Sequence, residues 1–185
     1  MIAQSVPPDD VIPLLAKRVE GIFKHDEVGA GATEHPLIGG VGRVDVIAGS
    51  QKLVVEVEAG ATIRVVRAVA AVDCGRTINP DGVRNQVEGG IVQAVSWVLK
   101  EQVRFDRTRI TTRTWDDYPI LRFSEAPSVE VSIIDRPDEP SLGVGEAVAG
   151  PVAAAIANAV FDAIGVRVRD LPLTRERMLA AINEA

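Results

Sequence analysis

Glu146 ends the short run Gly143-Val-Gly-Glu, and the fifteen residues that follow, through Phe161, carry no charge. A loop loosened by glycine that delivers one carboxylate to the mouth of an apolar helix suits general-base chemistry. It offers a proton acceptor on a movable support, with uncharged walls in Leu142, Val144, Ala147 and Val148. The position has a second meaning, because an acid at a helix start gains about 0.3–1 kcal/mol from the dipole and the free N–H groups. A helix start favours the ionised carboxylate, whereas apolar walls favour proton uptake. On the residues alone, both readings stand.

A second group lies on a helix expected over residues 80–102, where Val83, Val87, Ile91, Ala94, Val95 and Val98 form the stripe that should meet a sheet. On the opposite face Gln86, Gly89, Gly90, Gln93 and Trp97 recur at three- and four-residue steps, with Lys100 the only charge. Each glycine costs about 1 kcal/mol of helix propensity against alanine, so a close approach by something else is expected there. Packing against another helix or chain is one reading. A large ligand is the other, with the Gln86 amide able both to donate and to accept. Two further features carry less. His25 and His35 flank Asp26, Glu27 and Glu34 at a spacing that fits no metal pair, and read as a solvated segment. Gly39-Gly-Val-Gly-Arg43 lacks the preceding strand and following helix of a phosphate loop.

The elements that must position these groups follow from pattern. Asp9 or Asp10 can cap a short amphipathic helix carrying Val11, Leu15, Val19, Ile22 and Phe23, and residues 27–42 read as glycine-rich loop. Residues 53–57 and 63–72 form a hairpin about a turn at Ala59-Gly60. Asn79 is a good N-cap with Pro80 at the first helical position. A second hairpin is expected over residues 104–113, then a strand over 129–134. A helix over 148–164 stops at Gly165, an extended piece covers 166–171, and a last helix starts at Thr174. The expected fold is α+β, two main helices packed on mixed and antiparallel strands. Residues 1–50 are set apart as an unassigned N-terminal helix and glycine-rich segment, and 51–185 as the domain proper.

Composition excludes several classes. A net charge of −6 with no Lys/Arg run argues against nucleic acid, because no basic stripe would compensate for the counterions of a phosphate backbone. One cysteine, Cys74, allows neither an intrachain disulfide nor a protein-ligated iron–sulfur cluster, so any redox metal must be borrowed. The N-terminus lacks a signal-peptide pattern and no long apolar run occurs, which points to a cytoplasmic chain without membrane insertion, periplasmic only if carried by a partner with a signal.

Four motifs in order, Val72-Asp-Cys-Gly-Arg-Thr-Ile-Asn-Pro80, Asn85-Gln-Val-Glu-Gly-Gly-Ile-Val-Gln-Ala94, Asp117-Tyr-Pro and Gly143-Val-Gly-Glu-Ala147, resemble the C-terminal part of the molybdenum-binding subunit of the xanthine dehydrogenase/aldehyde oxidase family, in its isoquinoline 1-oxidoreductase beta-subunit type. The resemblance spans residues 53–182. It implies the fold of the second molybdopterin-binding domain and a molybdopterin cofactor, commonly the cytosine dinucleotide form in bacteria, with no protein ligand to the metal. It implies that Glu146 is the catalytic base in oxidation of an aldehyde or N-heterocycle with water as oxygen source. Gln86 would hydrogen-bond the pterin, Gly89 and Gly90 would let α-helical backbone approach it, and Gly143 and Gly145 would shape the base loop.

The sequence departs from the family at Ala147, where proline is usual, and residues 1–50 do not carry the resemblance. The family's large N-terminal portion has no counterpart in these 185 residues. The chain is therefore expected to work with the remainder of a molybdenum subunit and an iron–sulfur electron-transfer subunit, on a small-molecule substrate. The Gln86 face and the helix after Glu146 are expected to stay exposed without them. A non-catalytic interaction module that retains the fold and binds no cofactor alone is the competing reading.

Overall fold

A computed structural model describes residues 40–48, 51–59 and 62–184 of the chain. Strands β1 (Gly40–Ala48), β2 (Gln51–Ala59), β3 (Ile63–Asp73) and β4 (Ser128–Ile134) form one sheet in the order β1-β2-β3-β4. The first three are antiparallel and β4 runs parallel to β3. Helices α1 (Pro80–Leu99), α2 (Ala149–Ile164) and α3 (Arg175–Glu184) complete the described chain. The fold is α+β, as the sequence implies. β1 begins inside the stretch read as glycine loop, and the sheet thus extends to Gly40, ahead of the break expected at residue 50. The helix expected over residues 9–23, and the histidines 25 and 35, lie outside the described residues.

Valine and alanine dominate β2 and β3, and both strands are buried on both faces, Val55 and Ala68 on one and Val54 and Val69 on the other. α2 packs on β1 and β2, while α1 contacts β3, β4 and α2. α1 starts where Asn79 Oδ1 accepts the Gly82 N–H at 2.9 Å, ahead of Pro80. Its stripe of Val87, Ile91, Ala94, Val95 and Val98 is buried, as patterned. α2 ends at Gly165, whose φ of +71° closes the left-handed cap with its N–H donating to Phe161 O at 2.7 Å.

Two expectations give way. The hairpin over 104–113 reduces to one bridge, Phe105 with Ile110, around a turn in which Asp106 Oδ1 accepts the Thr108 and Arg109 N–H groups. With both apolar residues well exposed, no sheet face is available to extend it. α2 is not an exposed helix either. Val152, Ala155, Ile156, Ala159 and Val160 are all buried, because this chain's own β1 and β2 supply the cover.

Residues 100–127 form a strap along α1. Buried Ser96 accepts the Leu121 N–H through its Oγ at 2.9 Å, Lys100 pairs with Glu125, and Tyr118 donates to Glu101 at 2.6 Å. That last bond to a carboxylate raises the Tyr118 phenol above its ordinary range.

Candidate functional site

Glu146 precedes α2 by three residues and is exposed. Its backbone carbonyl accepts the Ala149 N–H at 3.2 Å, and Val148 is the N-cap residue, with no side-chain cap and no acid in the helix's first turn. Glu146 therefore does not serve as the helix-start acid that the sequence left open. Of the four apolar neighbours, Leu142 is half exposed, Val144 and Ala147 are partly buried, and Val148 is buried in the core.

α1 meets this loop along one flank. A Cβ built at Gly145 would lie 3.8 Å from Gln86 Nε2, which places the α1 amide beside the residue preceding Glu146. Next along the same flank, a Cβ at Gly90 would lie 2.7 Å from Val148 Cγ2. Gly90 is thus explained by packing, the reading that pattern alone offered first. Gly89 differs: a Cβ there meets nothing within 4 Å. One helical turn from Gln86, it opens instead on a groove of about 630 Å³ shared with Glu88, Gln93, Ile120 and Pro127. Gly143 also has open space around it. The structure brings Gln86 and Gly90 of α1 against the loop that contains Gly143, Gly145 and Glu146, with open space around Gly143, and turns Gly89 to the groove.

Sequence reasoning missed the segment that holds this loop from behind. Buried Asp73, at the end of β3, accepts the Gly75 N–H at 2.9 Å through one carboxylate oxygen and pairs with Arg136 at 3.1 Å through the other. Arg76 donates from its N–H to Glu139 O at 3.0 Å and from Nε to Pro137 O at 2.7 Å. Ser141 Oγ donates to Arg76 O at 2.6 Å, and the Leu142 N–H to Cys74 O at 2.9 Å. Gly75 has φ +65°, and its Cβ would collide with the Pro140 carbonyl oxygen. A glycine just past a strand, with an acid two residues before it, was the available signal.

The Asp117-Tyr-Pro motif is structural in its visible contacts. Asp117 Oδ2 accepts the Arg113 N–H and the Thr114 hydroxyl, and these bonds hold its carboxyl below the usual range. Among the described residues no group of three or more His, Cys, Asp and Glu side chains could hold a metal ion. No described helix is long and apolar enough to cross a membrane.

Comparison with known proteins agrees with this architecture. The molybdopterin cofactor-binding domain family matches residues 24–127. The B subunit of nicotinate dehydrogenase from Pseudomonas putida is 48% identical over 121 residues, which is 65% of this chain and 10% of that protein. The beta subunit of isoquinoline 1-oxidoreductase from Brevundimonas diminuta is 36% identical over 112 residues, 60% of this chain and 14% of that protein. Among solved structures, quinoline 2-oxidoreductase from Pseudomonas putida 86 superposes with a TM-score of 0.63 at 32% identity, over 72% of this chain and 18% of that one. The chain thus spans only a small part of the length of each of these proteins. It belongs to the molybdopterin cofactor-binding domain family.

Proposed function

We propose that the chain supplies the catalytic base, Glu146, and one wall of the cofactor site in a molybdenum hydroxylase that oxidises an aldehyde or N-heterocycle with water as the source of oxygen. The observation that carries this reading is the juxtaposition of Gln86 with Gly145, which sets a donor-acceptor amide beside the residue that precedes Glu146, whose carboxylate neither caps α2 nor hydrogen-bonds a described residue. The residues fit a molybdopterin. Gln86 is exposed, and Gly89 leaves the α1 backbone bare where a side chain would stand in open space. Gln86 would hold the pterin through its amide, with Gly89 allowing the close approach.

A molybdenum centre held beside Gln86 and Gly89 would supply the two-electron redox chemistry for oxidation at the substrate's C–H bond, with water as the source of oxygen. The work of this chain is proton transfer and orientation. A Glu146 carboxylate oxygen takes the proton from the attacking oxygen, which raises its nucleophilicity at the moment of attack. Leu142 and Val144 would exclude water on one side, and the remaining walls come from polypeptide beyond these residues. The cytosine dinucleotide form of the cofactor, the remainder of a molybdenum subunit, an iron–sulfur electron-transfer subunit and a cytoplasmic location belong to the same proposal.

Glu146→Gln in the assembled enzyme tests it. Turnover should fall by about a hundredfold or more, the range of a lost general base, while molybdenum and pterin content remain unchanged. Undiminished turnover with full cofactor would refute the assignment and favour the non-catalytic module.

A further inference from the structure

We infer that residues 73–76 form a positioning clasp for the loop that carries Glu146. Asp73, Cys74, Gly75 and Arg76 belong to the turn leaving β3, and residues 136–142 are the run that ends at Gly143. Hydrogen bonds from both sides close the two segments on one another: Arg136 to Asp73, Arg76 to Glu139 and Pro137, Ser141 to Arg76, and Leu142 to Cys74. The last of these lies four residues before Glu146. Beyond it Gly143 has open space and the loop carries no regular structure until α2. The clasp is thus the nearest hydrogen-bonded anchor on the N-terminal side of the carboxylate, with Val144 packed against the core between the two, as Val148 against Gly90 is the anchor on the C-terminal side.

Gly75 sets how closely the two segments approach. Its φ of +65° lies in the region that side chains disfavour, and a Cβ there would sit 2.9 Å from Pro140 C and 3.3 Å from Glu139 O. A side chain at residue 75 must push the 139–142 backbone outward and carry Glu146 with it. None of these residues hydrogen-bonds the Glu146 carboxylate, so the effect argued for them is one of placement.

The inference rests on the base role proposed for Glu146, and the test separates the two. In the cofactor-loaded assembly, Gly75→Ala should lower kcat by about tenfold to a hundredfold, the scale of an ångström-level misplacement, with KM and molybdenum content unchanged. Ser141→Ala should lower kcat by a smaller factor, and Ser141→Thr, which keeps the hydroxyl, should restore it. Amide hydrogen exchange over residues 142–148 is read in parallel, and should accelerate in Gly75→Ala and Ser141→Ala but not in Glu146→Gln. If Gly75→Ala does not fold, the Ser141 pair decides. Unaltered exchange in Ser141→Ala overturns the clasp, as does a kcat loss that merely tracks lost folded protein or one that threonine does not rescue. Full turnover in Glu146→Gln refutes the base alone, and the exchange rates still decide the clasp.

Discussion

At the scale of residues, adjacent glycines on α1 do unlike jobs. Gly90 is needed because Val148 occupies the space of its Cβ, whereas Gly89 faces open space. Gly90→Ala should destabilise the chain by about 1–2 kcal/mol, overpacking set against the gain in helix propensity. Gly89→Ala should instead stabilise it by about 1 kcal/mol. Denaturant titration of the two variants checks both signs. If the proposed pterin contact is correct, the stabilised Gly89→Ala protein retains less cofactor in the assembled enzyme, measured as molybdenum per protein. The sequence could list both glycines as candidates for close approach. It could not distinguish them, because the discriminating atom belongs to Val148, more than fifty residues away.

At the scale of elements, strong local signals were legible and long-range ones were not. Asn79, Pro80 and Gly165 mark helix ends by side-chain and backbone chemistry that needs no tertiary partner, and the structure places the ends there. Asn79→Ala should cost about 1 kcal/mol, seen as a lower melting temperature. The 104–113 segment alternates like a hairpin but finds no sheet, and β1 joins the sheet from a glycine-rich run that local pattern assigns to loop.

The strap on α1 adds an acid sensitivity. Glu125 is held below its ordinary 4.5 by the Lys100 ammonium and then by the Arg122 N–H, against a smaller opposing effect of burial. A carboxyl with a depressed folded value contributes stability above its unfolded value, and loses it as pH falls from about 4.5 through the folded value. Lys100→Met should flatten that acid limb. Denaturation midpoints above and below pH 4.5 report the difference, which solvent screening of the partly exposed pair keeps small.

At the scale of the molecule, this chain corresponds to a tenth of one relative's length and 14% of another's. One carboxylate, one amide and one open helix face make a wall rather than an enclosure. Phe123 is fully exposed and Trp115 three-quarters exposed, on the strap that borders the groove beside Gly89. Purified by itself from a host that makes molybdopterin, the chain should carry the cofactor substoichiometrically. Co-expressed with polypeptide equivalent to the rest of its relatives, it should bring the complex to one molybdenum per copy, by metal analysis.

The parallel pairing of β3 with β4 has a consequence for the order of assembly. β2 and β3 meet through a short connection, whereas β4 reaches β3 only after α1 and the strap have been threaded between them. Contacts that close a long segment lose more chain entropy before they are rewarded, and they form late. Shortening a β4 side chain, as in Ile134→Val, should therefore speed unfolding and leave the refolding rate nearly unchanged in stopped-flow experiments. The run that bears Arg136, Ser141 and Glu146 leaves directly from β4, so the carboxylate is expected to come into place with that late pairing rather than before it.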